Sequence, residues 1–141
     1  MSTDPRQVRD SLQRQSFMRL LGAHAPVIEP GHVVIELPFR EDLCQQNGYL
    51  HAGVLTSVAD SACGYAALTL MPLGSDVLSV EFKVNLLAPG RGDVFRADAR
   101  VVRSGRTLTV CQAEVTAVAA GQPDVSIALM QATMIVRPQV S

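Results

Sequence analysis

A chain of 141 residues with a formal net charge of -1 has room for one hydrophobic core and shows no electrostatic footprint for nucleic acid. Its hydrophobic fraction of 48% against 18% charged residues excludes a disordered tail or an acidic scaffold. Aromatic residues make up 4%, with no Trp, so small aliphatic side chains must build the core, which favours close packing of elements and a buried subunit interface.

The first ten residues are polar and charged, unlike a signal peptide. No uninterrupted apolar run approaches the ~20 residues that a membrane span needs. Three cysteines at irregular spacing, Cys44, Cys63 and Cys111, read as reduced thiols of a cytoplasmic protein rather than as a disulfide framework or a zinc site. No metal or cofactor is expected. Residues 1–141 read as one α+β domain, an N-terminal helical part over 1–24 preceding the core.

Asp4-Pro5 opens a helix, Asp4 as its cap and Pro5 at its first position. Val8, Leu12, Gln15-Ser16, Arg19 and Leu20 give it a mixed face, and Gly22 ends it. The predicted strands Pro26–Glu29 and His32–Pro38 flank a Pro30-Gly31 turn. Residues 40–50 lack periodicity and contain Cys44, Gln45, Gln46, Asn47, Gly48 and Tyr49, a loop rich in amide side chains. From Ala52 to about Met71 the chain is almost wholly small and apolar, which predicts a helix buried on most sides. Asp60 lies in its middle. Val77 to Leu87 alternates, with Val80, Phe82, Val84 and Leu86 opposite Ser79, Glu81, Lys83 and Asn85. Pro89 to Asp93 closes that strand. Residues 94–103, 107–119 and 125–136 follow, separated by short turns, which predicts an antiparallel meander.

The loop at Gln45 runs through His51 into the small pair Ala52-Gly53 and then into the buried helix. Backbone N–H groups at a helix start can point at an oxygen gaining negative charge. Small residues let a substrate come close, and Gln45 or Asn47 can add a side-chain donor. Such a layout suits an oxyanion hole; an ordinary helix cap is the alternative. Asp60 argues for chemistry, since a carboxylate inside an apolar helix costs several kcal/mol unless it is paired or reaches water. Its neighbours one turn away, Thr56, Ser57, Ala59, Cys63 and Gly64, offer no basic partner. A carboxylate bonded to Ser or Thr hydroxyls is the structural alternative. Ala52 and Asp60 lie ~12 Å apart along one helix at ~1.5 Å per residue, too far to serve one reacting carbon. Two antiparallel copies of the helix about a two-fold axis bring one chain's Ala52 toward the other's Asp60, which suggests a site shared between subunits.

Gln45, Gly48, His51, Gly53 and Asp60 follow a pattern of Asn or Gln, a Gly three later, His-Gly-Gly, and an acid nine residues after the His. In this the chain resembles the phenylacetate-degradation type of hot-dog acyl-CoA thioesterases, over roughly residues 25–137. Ser79 to Asn85, Ala88-Pro89-Gly90 and Gly105-Arg106-Thr107 are similar to family segments too. The resemblance implies a hot-dog fold, an antiparallel sheet wrapped around the long helix, and a small acyl-CoA substrate. It implies that Gln45 and the Ala52 amide polarise the thioester carbonyl, and that Asp60 of the opposing subunit is base or nucleophile. It further implies that Ser79 helps to orient the water, while His51 fixes the loop and the helix start. Asn47 and Gly53 are candidate substrate contacts. Arg103 and Arg106, with Arg91, are candidates for the CoA phosphates or else solvated charges at strand ends. A homodimer is the smallest working unit expected, and pairing into a homotetramer is implied. Ala52 departs from the family's glycine but keeps the backbone donor. Two rival readings keep the fold: a hydratase or dehydratase using His51 with a carboxylate, and a non-catalytic acyl-binding protein.

Overall fold

The computed structural model describes residues 3–138. Asp4 caps α1 (Pro5–Arg14), its carboxylate accepting the Arg6 N–H at 2.7 Å. The helix expected to reach Gly22 breaks at Gln15, whose ψ of 106° is extended, and α2 (Ser16–Leu21) follows. Burial explains the break. Val8 and Leu12 are buried from α1, Met18 and Leu21 from α2, and positions 12 and 18 would lie ~120° apart around one continuous helix at ~3.6 residues per turn. Gly22 then ends α2 with φ of 74°, the left-handed turn that glycine allows.

Strands β1 (His24–Glu29), β2 (His32–Pro38), β3 (Ser75–Leu86), β4 (Val94–Ser104), β5 (Leu108–Val118) and β6 (Val125–Pro138) form one antiparallel sheet. The long helix α3 (Ala52–Leu68) packs on one face of it, from β2 across to β3. Ala59, Ala62, Ala66 and Ala67 of the helix and Ala97, Ala99 and Ala132 of the sheet are all fully buried. Small side chains on both sides let the helix lie close to the strands. The α+β architecture expected from the sequence, a sheet wrapped around a long helix, is what the chain adopts.

The meander is corrected in one place. Spatial order is β1-β2-β4-β5-β6-β3, so β4, β5 and β6 form a meander while β3 pairs with β6 at the far edge. Alternating polarity reports which side of a sheet a residue faces and is silent about which strand lies alongside. The segment after β3 is a crossover rather than a hairpin turn: Leu87 N–H bonds Ile127 O at 2.8 Å, Gly90 bridges to Leu50, and Asp93 N–H bonds Val118 O at 2.8 Å. A Cβ on Gly90 would meet Leu50 backbone oxygen at 3.0 Å, so this close crossing requires glycine.

β3 also carries a bulge. Ser79 pairs with Met134 and Glu81 with Thr133, leaving Val80 as an extra residue. The bulge resets the alternation, so Ser79 shares the helix-facing side with Phe82, Val84 and Leu86, which pair with the buried Ala132, Met130 and Ala128. Strict alternation had placed Ser79 on the opposite side from Phe82 and Val84.

Candidate active site

The loop before α3 is held in shape by its own backbone. Gln45 N–H bonds Tyr49 O at 2.9 Å, Gly48 N–H bonds Gln45 O at 3.1 Å, and His51 N–H bonds Leu43 O at 3.0 Å. Gly48 sits at φ of 85°, a conformation that side chains other than glycine rarely adopt. The Gln45 side chain turns its carbonyl oxygen to the Asn47 N–H, which leaves its Nε2 hydrogens free to donate outward. Asn47 contributes its backbone to that turn and is itself exposed.

His51 is the cap of α3. Its Nδ1 accepts the Gly53 N–H at 2.8 Å, so in the neutral ring the proton sits on Nε2. A Cβ at position 53 would stand 3.0 Å from His51 Nδ1, so Gly53 is there for the imidazole to close over the helix end. The two amides at the helix start therefore differ. The Gly53 N–H is tied to His51, whereas the Ala52 N–H has no acceptor among the described residues. Gln45 Nε2 and Ala52 N–H are the two donors that remain.

Asp60 lies two turns further along α3 and is half-buried, not sealed in the core. Ser79 Oγ donates to its Oδ1 at 2.6 Å, a bond made possible by the bulge that turns Ser79 toward the helix. Asp60 also lines a cavity of about 320 Å³ whose walls include Gln15, Ser61, Gly64 and Tyr65. Ala52 and Asp60 are on one straight helix, so a single chain keeps donors and carboxylate ~12 Å apart along its axis at ~1.5 Å per residue.

Arg103 and Arg106 are exposed and unpaired in the β4–β5 hairpin among the described residues. The register Ser104↔Thr109↔Met134↔Ser79 places that hairpin at the end of the sheet where Ser79 lies, away from Gln45. Arg91 stands elsewhere, its guanidinium 5.2 Å from the Tyr49 ring centre beside the Gln45 loop. Cys63 and Cys111 are buried, and burial pushes both thiols up, Cys111 to about 12, which removes them as nucleophiles near neutral pH.

Sequence reasoning missed Gln15, Ser61 and Tyr65. Gln15 Nε2 donates to the Tyr65 hydroxyl at 3.1 Å, and its Oε1 accepts from Ser61 at 3.3 Å. The one available signal was the lapse in apolar spacing at Gln15-Ser16.

The thioesterase superfamily profile matches residues 47–121, from the loop through α3 to β5. A crystal structure of a thioesterase family protein from Silicibacter pomeroyi superposes with a TM-score of 0.92 at 46% identity, covering 95% of this chain and 98% of that one. The E. coli PaaI protein from the phenylacetic acid degradation operon superposes at 0.83 with 21% identity over 96% of this chain and 95% of its own. A Saccharolobus solfataricus protein bearing the provisional name esterase is 34% identical over 87 residues, 62% of this chain and 61% of that protein. The chain thus spans less than two thirds of that relative. These likenesses identify the fold as the hot-dog fold.

Proposed function

The chain belongs to the thioesterase superfamily, and from that premise we propose that it is an acyl-CoA thioesterase, releasing free acid and CoA at sites shared between two copies of a single hot-dog domain. The observation that carries this reading is the Asp60 carboxylate, fixed by Ser79 at 2.6 Å on the wall of a cavity. The donors left over at the helix start are what a thioester carbonyl needs. Gln45 Nε2–H and Ala52 N–H polarise the carbonyl oxygen and hold the negative charge that develops on it. Asp60 of the second copy takes a proton from water as that water attacks, or attacks the carbon itself to form a mixed anhydride that water then hydrolyses to the free acid; in either case the CoA thiolate leaves and is protonated. Ser79 holds one carboxylate oxygen so that the other meets the reacting atoms.

The dimer has its own support. β3 is one of the two edge strands, with one side unpaired among the described residues, and its Val80, Phe82 and Leu86 are 54%, 44% and 54% exposed. A bare edge twelve residues long, with apolar side chains exposed along it, is a site for strand pairing. Pairing β3 to β3 antiparallel would extend the sheet and bring the open faces of the two α3 helices toward each other. Pairing of dimers into a tetramer is the further assembly proposed, and the free thiols fit a reducing cytoplasm. Arg103 and Arg106 are assigned to CoA phosphates, and Asn47 and Gly53 to the walls of the substrate channel.

A Listeria monocytogenes relative, 27% identical over 96 residues, is named a 1,4-dihydroxy-2-naphthoyl-CoA hydrolase, which supports a CoA thioester as substrate. The hydratase reading is weaker, because His51 already uses Nδ1 as a helix cap and lacks an adjoining carboxylate in its hydrogen bonds among the described residues. Incubation with a panel of acyl-CoA esters and a thiol reagent tests the proposal: free CoA should appear with enzyme-dependent kinetics. A panel yielding no thiol, or water addition to an enoyl ester without thiol release, overturns it.

A further inference from the structure

The cavity beside Asp60 has a second polar wall that the proposed hydrolysis does not use. Its near wall is Asp60 and Ser79, and its far wall holds Gln15, Ser61 and Tyr65, with Ser11 lying 3.2 Å from the Tyr65 hydroxyl. Tyr65 is five residues after Asp60, ~7.5 Å along the helix axis at ~1.5 Å per residue. Between the two walls Gly64 leaves the helix bare. A Cβ there would meet only Val77 Cγ1, at 3.9 Å, so no neighbour requires glycine. A mid-helix glycine is unfavourable relative to alanine, and its effect here is to keep space open one turn from Asp60.

Gln15 occupies that far wall because the chain breaks there between α1 and α2. Its hydrogen bonds to Tyr65 and Ser61 use one Nε2 hydrogen and one Oε1 lone pair, so one donor and one acceptor remain on a side chain that lines the cavity. A long alkyl chain would have to lie against these polar atoms and strip their water without replacing it. An anionic end would meet Asp60 and Asp76, which both line the same space. Resting on the thioesterase reading, we propose that Gln15 is a specificity-determining residue: with Tyr65 it reads a neutral hydrogen-bonding group, such as a hydroxyl, at the far end of a short acyl chain seated beside Asp60.

The test compares kcat/KM for pentanoyl-CoA and its terminally hydroxylated counterpart. Wild-type protein should favour the hydroxylated ester by about twofold to tenfold, the range of one net hydrogen bond. Gln15→Leu and Tyr65→Phe should each bring the ratio close to one, with the loss falling on the hydroxylated ester. A purely structural role for the two side chains would lower both rates together and leave the ratio where it was. Equal wild-type rates, or a ratio that survives Tyr65→Phe, overturn the inference even if Gln15→Leu does not fold. If wild-type protein cleaves no acyl-CoA at all, the thioesterase reading falls and this inference with it. If it cleaves both esters equally, only the assignment of Gln15 falls.

Discussion

Asp60 and Ser79 come from segments nineteen residues apart in the chain, yet their side chains meet at 2.6 Å. If the carboxylate acts in the chemical step, Asp60→Asn should lower kcat by ~100-fold or more and leave KM similar. The change is nearly isosteric and keeps an acceptor for Ser79, so circular dichroism should report an unaltered fold; near wild-type turnover would refute the role. Gln45→Ala removes a single donor to the oxyanion, a loss that typically amounts to ~3 kcal/mol in the transition state. Steady-state kinetics should show kcat and kcat/KM falling together, and a rise in KM alone would make Gln45 a binding residue only. At this scale the sequence was legible where chemistry is unusual for its surroundings. A carboxylate among alanines and a His-Ala-Gly at a helix start stand out on residue type alone. The orientation of Ser79 was not legible, since it depends on one bulged residue, Val80, that leaves no mark on composition or turn chemistry. That a side chain at position 53 would meet the ring of His51 was not legible either, since it depends on how the imidazole folds over the helix end.

Among the elements, α3 shows how small residues serve two ends. Its alanines let the helix lie against the sheet, and Gly64 leaves a hollow instead. Because a Cβ at that position meets ordinary contact distance only, Gly64→Ala should stabilise the helix by about 1 kcal/mol. For a chain of this size that corresponds to a rise in Tm of about 3 °C by calorimetry. The same methyl group narrows the cavity, so kcat/KM should fall most for the bulkier acyl groups. A lowered Tm would show instead that the partner helix occupies the space at Gly64 in the assembled protein. The start, length and burial of α3 were readable from Ala content and the His51 boundary. The break in the N-terminal helix was not expected, because Gln15 and Ser16 are both acceptable inside a helix. Only the burial of Met18 and Leu21 on a different side from Leu12 forces the chain to turn there.

Taken whole, the proposed chemistry is divided between two places on one rigid helix, and on that proposal a second copy completes either site. Mixing an Asp60→Asn chain with a Gln45→Ala chain tests that division. A heterodimer carries one site with both lesions and one with neither, so activity should partly return after denaturation and joint refolding. Sites contained within single chains would regain nothing, and a competent monomer by light scattering would refute sharing outright. The class of fold was legible from the order of its elements, but the strand order was not: β3 and β4 are consecutive, separated by a Pro-Gly segment, and still lie at different places in the sheet. The partner of β3 is β6, from Leu86↔Ala128 to Ser75↔Pro138, and that arrangement has a consequence during biosynthesis. At ~5–20 residues per second on the ribosome, β3 emerges on the order of seconds before any of β6 exists. Throughout that interval Phe82, Val84 and Leu86 have nothing to pair with, and neither does the last strip of α3. A nascent chain stalled before Val125 should therefore be cut readily by protease and held by chaperones, becoming resistant only once the strand that β3 awaits has been made.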